Sequence, residues 1–287
     1  MTPPSISEST PELLALMREM ASRRRPRDLV EQRARDAFVV PAFLDQRSVH
    51  QLDGLALGAA PAFEAVQLSP VAQLGVCSVL APTSQDRTLS ALRGTEVVSD
   101  PTNALALECA QRLKALPHST VRLCTVHQVL RAQPLPPRAG HTRHFRLFAL
   151  TTAGVGRAED AFEVDAIASQ LGVFDRLLDA AANTLGCVFG PRRAVVRTDD
   201  ARATLGNRVC ERLARELPHV EVERAPLDAA YYGGVRVMFG PHTQSGDWIA
   251  IGDCGVFDWV ARLTANRRMR FVAAGFGLQL LRVLFTR

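Results

Sequence analysis

The sequence predicts an α+β fold in which antiparallel hairpins are flanked by helices. Three observations carry that prediction. The chain has 287 residues, 47% of them apolar and 22% charged, enough to bury a sizeable core and far from the composition of a disordered chain. Strand-like alternation and helical periodicity follow one another in mixed order rather than in strict βαβ repetition. After residue 36 no repeat, low-complexity tract or interdomain linker interrupts the pattern.

Residues 1–9 are polar and rich in Pro and Ser, which predicts a disordered start. Thr10, Pro11 and Glu12 supply a cap, a preset first-turn φ and an early acid, so ELLALMREMASRR reads as a helix ending at Pro26. Residues 1–36 form an appendage and 37–287 the core domain. From Ala37 short apolar runs follow: FVV, EAVQL and CSVL. The turn-rich SQDRTLSALRGTEVVSDPTN leads into a helix, ALALECAQRLKAL, that starts near Thr102 or Asn103. VRLCTVHQVLR and RHFRLFALTTAG are strands around QPLPPRAGHT, whose three prolines and one glycine predict a stiff, exposed loop. AEDAFEVDAIASQLGVFDRLLDAAANTLG has a helical period, with Gly186 as its stop. RRAVVRTD is a strand, ARATLGNRVCERLAREL a helix, and VEVERA, YYGGVRVMFG and DWIAIGD are strands. RFVAAGFG is the last strand and runs into the short helix LQLLRVLF.

The net charge of +5 invites a nucleic-acid reading, but Lys114 is the only lysine among the 34 basic residues. Such a choice of arginine reflects a bias towards G and C in the coding sequence as much as a selected surface. The arginines are scattered among 29 acids, and the compact run Arg23, Arg24, Arg25 and Arg27 reads as a solvated helix face. A phosphate-tracking stripe needs more concentration, so nucleic acid is left open and not indicated. The first ten residues lack a basic start followed by an apolar stretch, and no run of about 18 apolar residues exists. The six cysteines are spread singly, with no zinc-knuckle or redox spacing. A cytoplasmic protein with buried, reduced thiols and no membrane partner is expected. The seven histidines form no metal set; His118, His127 and His219 are surface or core residues.

Two arginine-bearing segments carry chemistry. Arg131 ends one strand, and Arg143, His144 and Phe145 open the strand that returns. Pairing brings Arg131 and Phe145 onto one cleft, with guanidinium geometry suited to phosphate oxygens and a ring on which a base stacks. In GFGLQLLR, Gly275 and Gly277 permit close backbone approach, and Arg282 one turn into a helix covers the other face of a base.

At these residues the chain resembles the catalytic domain of class II aminoacyl-tRNA synthetases, and most closely the histidyl branch. VHQVLRAQ…GHTRHFRLF is similar to that family's motif 2 and GFGLQLLR to its motif 3. LDAAYYGGVRVMF is similar to the tyrosine-pair strand, and IGDCGVFDWV to the glycine-glycine-arginine-tyrosine-aspartate segment. SDPTNALALECA sits where the family has a proline-glutamate-x-threonine element, and Pro41 resembles the motif 1 proline. The resemblance covers about residues 37–287.

It implies an antiparallel six- or seven-stranded sheet that binds bent ATP beside an amino acid. By that carry-over Arg131 holds the α-phosphate and serves as the catalytic arginine, Phe145 and Arg282 sandwich adenine, and Arg143 or His141 reaches the outer phosphates. Thr102, Gln133, Tyr231 and Tyr232 shape the amino-acid pocket, the tyrosines having half-buried packing as an equal alternative. Asp253 is the candidate for Mg2+ on chemical type alone, an ordinary turn residue being the alternative. The chain departs from the family at Gln133, Leu147, Gln279, Leu281 and Val256, and the threonine element lacks its glutamate. Arg224 is the nearest counterpart of the histidyl branch's own catalytic arginine. These departures fall on amino-acid recognition and magnesium handling. The sequence runs five residues past Arg282, so a core without an anticodon-binding domain is expected.

Three functions follow from the resemblance. The first is a stand-alone enzyme that forms an aminoacyl-adenylate from ATP for a non-canonical acceptor such as a carrier protein. The second is a non-catalytic regulatory subunit of ATP phosphoribosyltransferase, acting on a catalytic partner subunit in histidine biosynthesis. The third is a tRNA-binding paralogue. A homodimer formed through the Pro41 region is expected in each case.

Overall fold

Ser5, rather than Thr10, opens the first helix. Its hydroxyl accepts the Glu8 N–H at 3.3 Å and the Glu8 carboxylate accepts the Ser5 N–H at 2.7 Å, a capping box that starts α1 (Ile6–Ser22) five residues early. Residues 5–9, expected to be disordered, are therefore helical or capping, and the computed structural model describes residues 5–134 and 141–286. Pro26 does more than end α1. It is the first residue of α2 (Pro26–Arg35), where a missing N–H costs nothing. The arginine run consequently spans the junction of two helices instead of lining one face. Neither helix buries a residue.

Asp45 caps α3 (Gln46–Gly58), accepting the Arg47 N–H at 2.9 Å. Next come β1 (Glu64–Ala65), β2 (Val71–Gln73) and α4 (Val76–Leu80), then β3 (Ser90–Ala91) and β4 (Thr95–Val97). Strands β2, β4 and β3 make a small sheet of their own. The fully buried Glu96 ties it to α4, its carboxylate accepting the N–H groups of Gly75 at 2.7 Å and Cys77 at 3.1 Å. Asp100 caps α5 (Pro101–Ala115), one residue ahead of the expected start.

The predicted strands and helices then follow in order: β5 (Val121–Leu130), β6 (His144–Val155), α6 (Ala161–Leu185), β7 (Arg192–Thr198), α7 (Ala203–Glu216) and β8 (Val220–Pro226). Gly186 ends α6 at φ +68°, a conformation that favours glycine. Beyond them lie β9 (Val235–Pro241), β10 (Gly252–Phe257), α8 (Trp259–Thr264), β11 (Met269–Gly277) and α9 (Gln279–Phe285). Two strand expectations move. Tyr231 and Tyr232 occupy the turn before β9, and only the last two residues of DWIAIGD enter β10. The irregular stretch before β10 crosses β9 so closely that a Cβ on Gly240 would stand 1.9 Å from the Ile249 carbonyl oxygen.

The main sheet has eight strands in the order β1-β5-β6-β11-β10-β9-β7-β8, where six or seven were expected. Its six central strands are antiparallel, and β1 and β8 join the edges in parallel. Alternation along β6 divides the core. Phe148 and Leu150 face a cluster built with α3, α6 and α7; Leu147 and Ala149 face one built with α5 and α8. All six cysteines are unpaired, and five are buried. Among the described residues no helix is long and apolar enough to cross a membrane.

His127 on β5 gives this core a pH dependence. Burial, and secondarily the nearby Arg146, lowers its pKa, and its Nε2 is sealed from solvent without a partner. A base whose folded pKa is depressed adds stability above its unfolded pKa of about 6.5 and loses it as pH falls below that value. Between pH 7 and pH 5.5, urea midpoints are expected to fall less for His127→Gln than for the parent. Equal slopes would remove His127 as a cause.

Candidate functional site

The second cluster covers only part of its face of the sheet. Beyond α5, over β9, β10 and β11, the face opens into a cavity of about 690 Å³. Its floor is small: Ala273, Ala274, Gly275 and Gly277 leave the space that larger side chains would fill. The N-terminus of α5, the turn with Tyr231 and Tyr232, and the segment from Pro82 to Arg87 form its walls. Cys77 also lines it, its thiol pushed up to about 11 by burial and by Glu96, so it stays protonated and unreactive.

Asp100 stands where α5 begins, and capping fixes it. One carboxylate oxygen accepts the N–H of Thr102 at 3.0 Å and its hydroxyl at 2.7 Å. The other lies 3.7 Å from Arg131, too far for a tight ion pair. Arg131 is held from behind, Nε donating to the Ser99 carbonyl at 2.8 Å, and its guanidinium lies 5.2 Å over the Phe145 ring. Opposite them Asp253 accepts the Tyr232 hydroxyl at 2.8 Å and an Arg236 N–H at 2.7 Å. Arg236 also stacks 5.0 Å over Tyr232. Burial, then the neighbouring acids Asp100 for Tyr231 and Asp253 for Tyr232, raises both phenol pKa values, so both tyrosines remain neutral donors. Gly255 makes room for the arrangement, since a Cβ there would sit 2.3 Å from the Tyr232 ring.

Five of the ten candidate site residues therefore share one cavity: Thr102, Arg131, Tyr231, Tyr232 and Asp253. Phe145 lies beside it beneath Arg131. The others are placed differently. Arg143 donates to the carbonyls of Ala132, at 2.7 Å, and Gln133, and stacks on Phe38. The Gln133 side chain accepts two bonds from Arg87, turning that arginine's guanidinium into place on the wall. Arg282 donates to Gln51 of α3 at 3.2 Å, and neither it nor His141 lines the cavity. The greater part of the loop expected between β5 and β6, residues 135–140, lies outside the described residues.

Arg87, Asp100, Asn103 and Arg236 complete the site without having been singled out. For Asp100 the signal was present, an Asp-Pro-Thr start to a helix. Arg87 had none, because it comes from the turn-rich stretch and depends on Gln133. The wall carboxylates do not fit a metal held by the protein. Asp100 faces Arg131, Asp253 is engaged by Arg236, and among the described residues no group of three or more His, Cys, Asp or Glu could hold an ion.

No protein-family model matches the chain, and no curated protein matches it by sequence. Solved structures share its fold. An ATP phosphoribosyltransferase regulatory subunit/histidyl-tRNA synthetase from Bacillus halodurans aligns over 85% of this chain and 81% of its own, with 12% identity and a TM-score of 0.63. Apo histidyl-tRNA synthetase from S. aureus aligns over 85% and 67%, with 10% identity and a TM-score of 0.62. A histidine–tRNA ligase subunit from Alicyclobacillus acidocaldarius aligns over 85% and 98%, with 14% identity and a TM-score of 0.54. The fold is that of the class II synthetases, and at these identities the likeness is one of fold.

Proposed function

We propose that this protein binds a free amino acid, with histidine as the leading candidate, and acts as a ligand-sensing subunit rather than as an adenylating enzyme. One observation carries the reading: the cavity sets the Asp100 carboxylate oxygen that the helix cap does not use beside a guanidinium, Arg131, with 3.7 Å between them. That pair suits the ammonium and carboxylate of one zwitterion. Tyr231, Tyr232 and Asp253 across the cavity suit a side chain that donates an N–H, as imidazole does. The nucleotide half supports activation less well. Arg143 is spent on its own loop and Arg282 on Gln51, and the carboxylates that would help hold Mg2+ each face an arginine. A sensor of this kind acts through a catalytic partner, and the Bacillus halodurans fold neighbour carries the name of such a regulatory subunit.

Amino-acid activation is the second reading, favoured by Arg87 and Arg131 on one cavity, two guanidinium groups suited to phosphate. Calorimetric titration with histidine and ATP, together with ATP–pyrophosphate exchange on all twenty amino acids, separates the two. Histidine binding that weakens about tenfold or more in Asp100→Asn, with no exchange, is the expected result. Exchange with any amino acid would overturn the sensor reading in favour of activation.

A further inference from the structure

Helix α1 is amphipathic in the wrong direction for a helix that serves only its own chain. Ile6, Leu13 and Met20 recur every seven residues, and Leu16 and Met17 fill the stripe between them, yet all five are about half exposed. The adjoining side of the helix meets the body of the molecule, where Ser7, Thr10, Pro11, Leu14 and Arg18 line a shallow groove with Arg93. Ile6, at the end of the stripe, reaches that groove as well, so the uncovered stretch is Leu13, Leu16, Met17 and Met20. A helix of 17 residues with no buried side chain is marginal by itself in water. The stripe therefore calls for a cover, and the charges beside it say which.

We propose that the cover is the α1 helix of a second copy of this chain, packed antiparallel about a two-fold axis that passes between Leu16 and Met17. In that register Leu13 lies opposite Met20 and Leu16 opposite Met17, so every apolar residue of the central stripe meets another. Glu8, Glu12, Glu19 and Arg23 run along one flank of the stripe, with the acids concentrated in the N-terminal half. An axis perpendicular to the plane of the two helices keeps like flanks on one side. It sets Arg23 of each copy level with the turn between Glu8 and Glu12 of the other. Glu19 is already paired with Arg23 within its own helix, whereas Glu12 has no ion-pair partner among the described residues. A parallel pair would set the acidic halves together and forfeit both attractions. The surface is self-complementary in shape and in charge, as an isologous contact requires. It is separate from the Pro41 region and independent of what the cavity binds.

Sedimentation velocity on the full chain tests this with charge reversal. The parent is expected to dimerise at micromolar concentration, and Glu12→Arg and Arg23→Glu are each expected to weaken the dimer about tenfold, because one reversal acts twice across the axis. The double variant is expected to recover most of the parent affinity. Far-ultraviolet circular dichroism on each variant confirms that α1 persists, and Met17→Asp is expected to abolish association through α1 in a folded chain, leaving any contact through the Pro41 region in place. A parent that stays monomeric would overturn the proposal, and so would a dimer indifferent to these changes or a double variant as weak as the singles. A monomeric parent would also leave the stripe to a partner of another kind.

Discussion

Replacing Phe174 by alanine is expected to remove about 3–5 kcal/mol of folding free energy, read as a lower guanidinium midpoint at unchanged slope. Phe174 sits on α6 with no exposed surface, and its ring lies 5.0 Å from that of Phe276 and 6.4 Å from those of Phe148 and Phe239. Those three rings belong to β11, β6 and β9, so one side chain joins α6 to strands drawn from both halves of the sheet. The backbone of the fourth strand, β10, is shaped to it as well. A Cβ on Gly252 would come within 2.8 Å of the Phe174 ring, so the strand carries glycine where the ring presses. The vacancy left by alanine has walls of aromatic rings on a hydrogen-bonded sheet, which relax little, and that argues for the upper part of the range. Phe174→Leu keeps much of the volume and is expected to cost less than half as much. A loss below about 1.5 kcal/mol for alanine would show that α6 repacks freely and that the sheet is not held through this ring.

The same helix illustrates what the sequence makes legible. Its 25 residues repeat a helical period long enough to outweigh local ambiguity, and Gly186 marks its end, so α6 was read whole. Strands β5 and β6 were legible because ten and twelve residues give alternation room to register. By contrast α3 buries only Leu52 and Ala56, two positions that make no periodic signal, and the strands of the small sheet have two or three residues each. The site divides along the same line. Arg131, the tyrosine pair and Asp253 lie in segments with a motif-like order. Arg236 and Arg87 matter only through partners far along the chain, Asp253 and Gln133, that pairing and loop geometry bring close. The direction of Arg282 was unreadable for another reason. Leu281 and Phe285 of α9 pack into the core and set the helix's rotation, and that rotation turns Arg282 towards Gln51.

Asp253→Asn is expected to abolish detectable histidine binding while costing only about 1–2 kcal/mol of stability. The carboxylate accepts from Tyr232 and from two nitrogens of Arg236, three donors converging on one acceptor-only group. An amide of the same shape keeps one oxygen and turns an NH2 towards donors, so at least one contact becomes donor against donor. Among the described residues Arg236 has one other acid in reach, Asp228 at 3.9 Å on an exposed side chain, a weak substitute. Without its anchor the guanidinium swings into the cavity, and the Tyr232 turn loses the bond that holds it beside Gly255. Stability falls modestly because Asp253 is about one-third exposed and water takes up part of the loss. Binding falls further because a ligand donor would meet a mobile cation where it needs an acceptor. Adding Arg236→Met removes the stranded charge and is expected to return most of the stability without returning affinity. That split separates a ligand-contacting role from a structural one. Were Asp253→Asn to bind histidine within about twofold of the parent, Asp253 would serve only to brace the wall, and recognition would rest on Asp100 and Arg131.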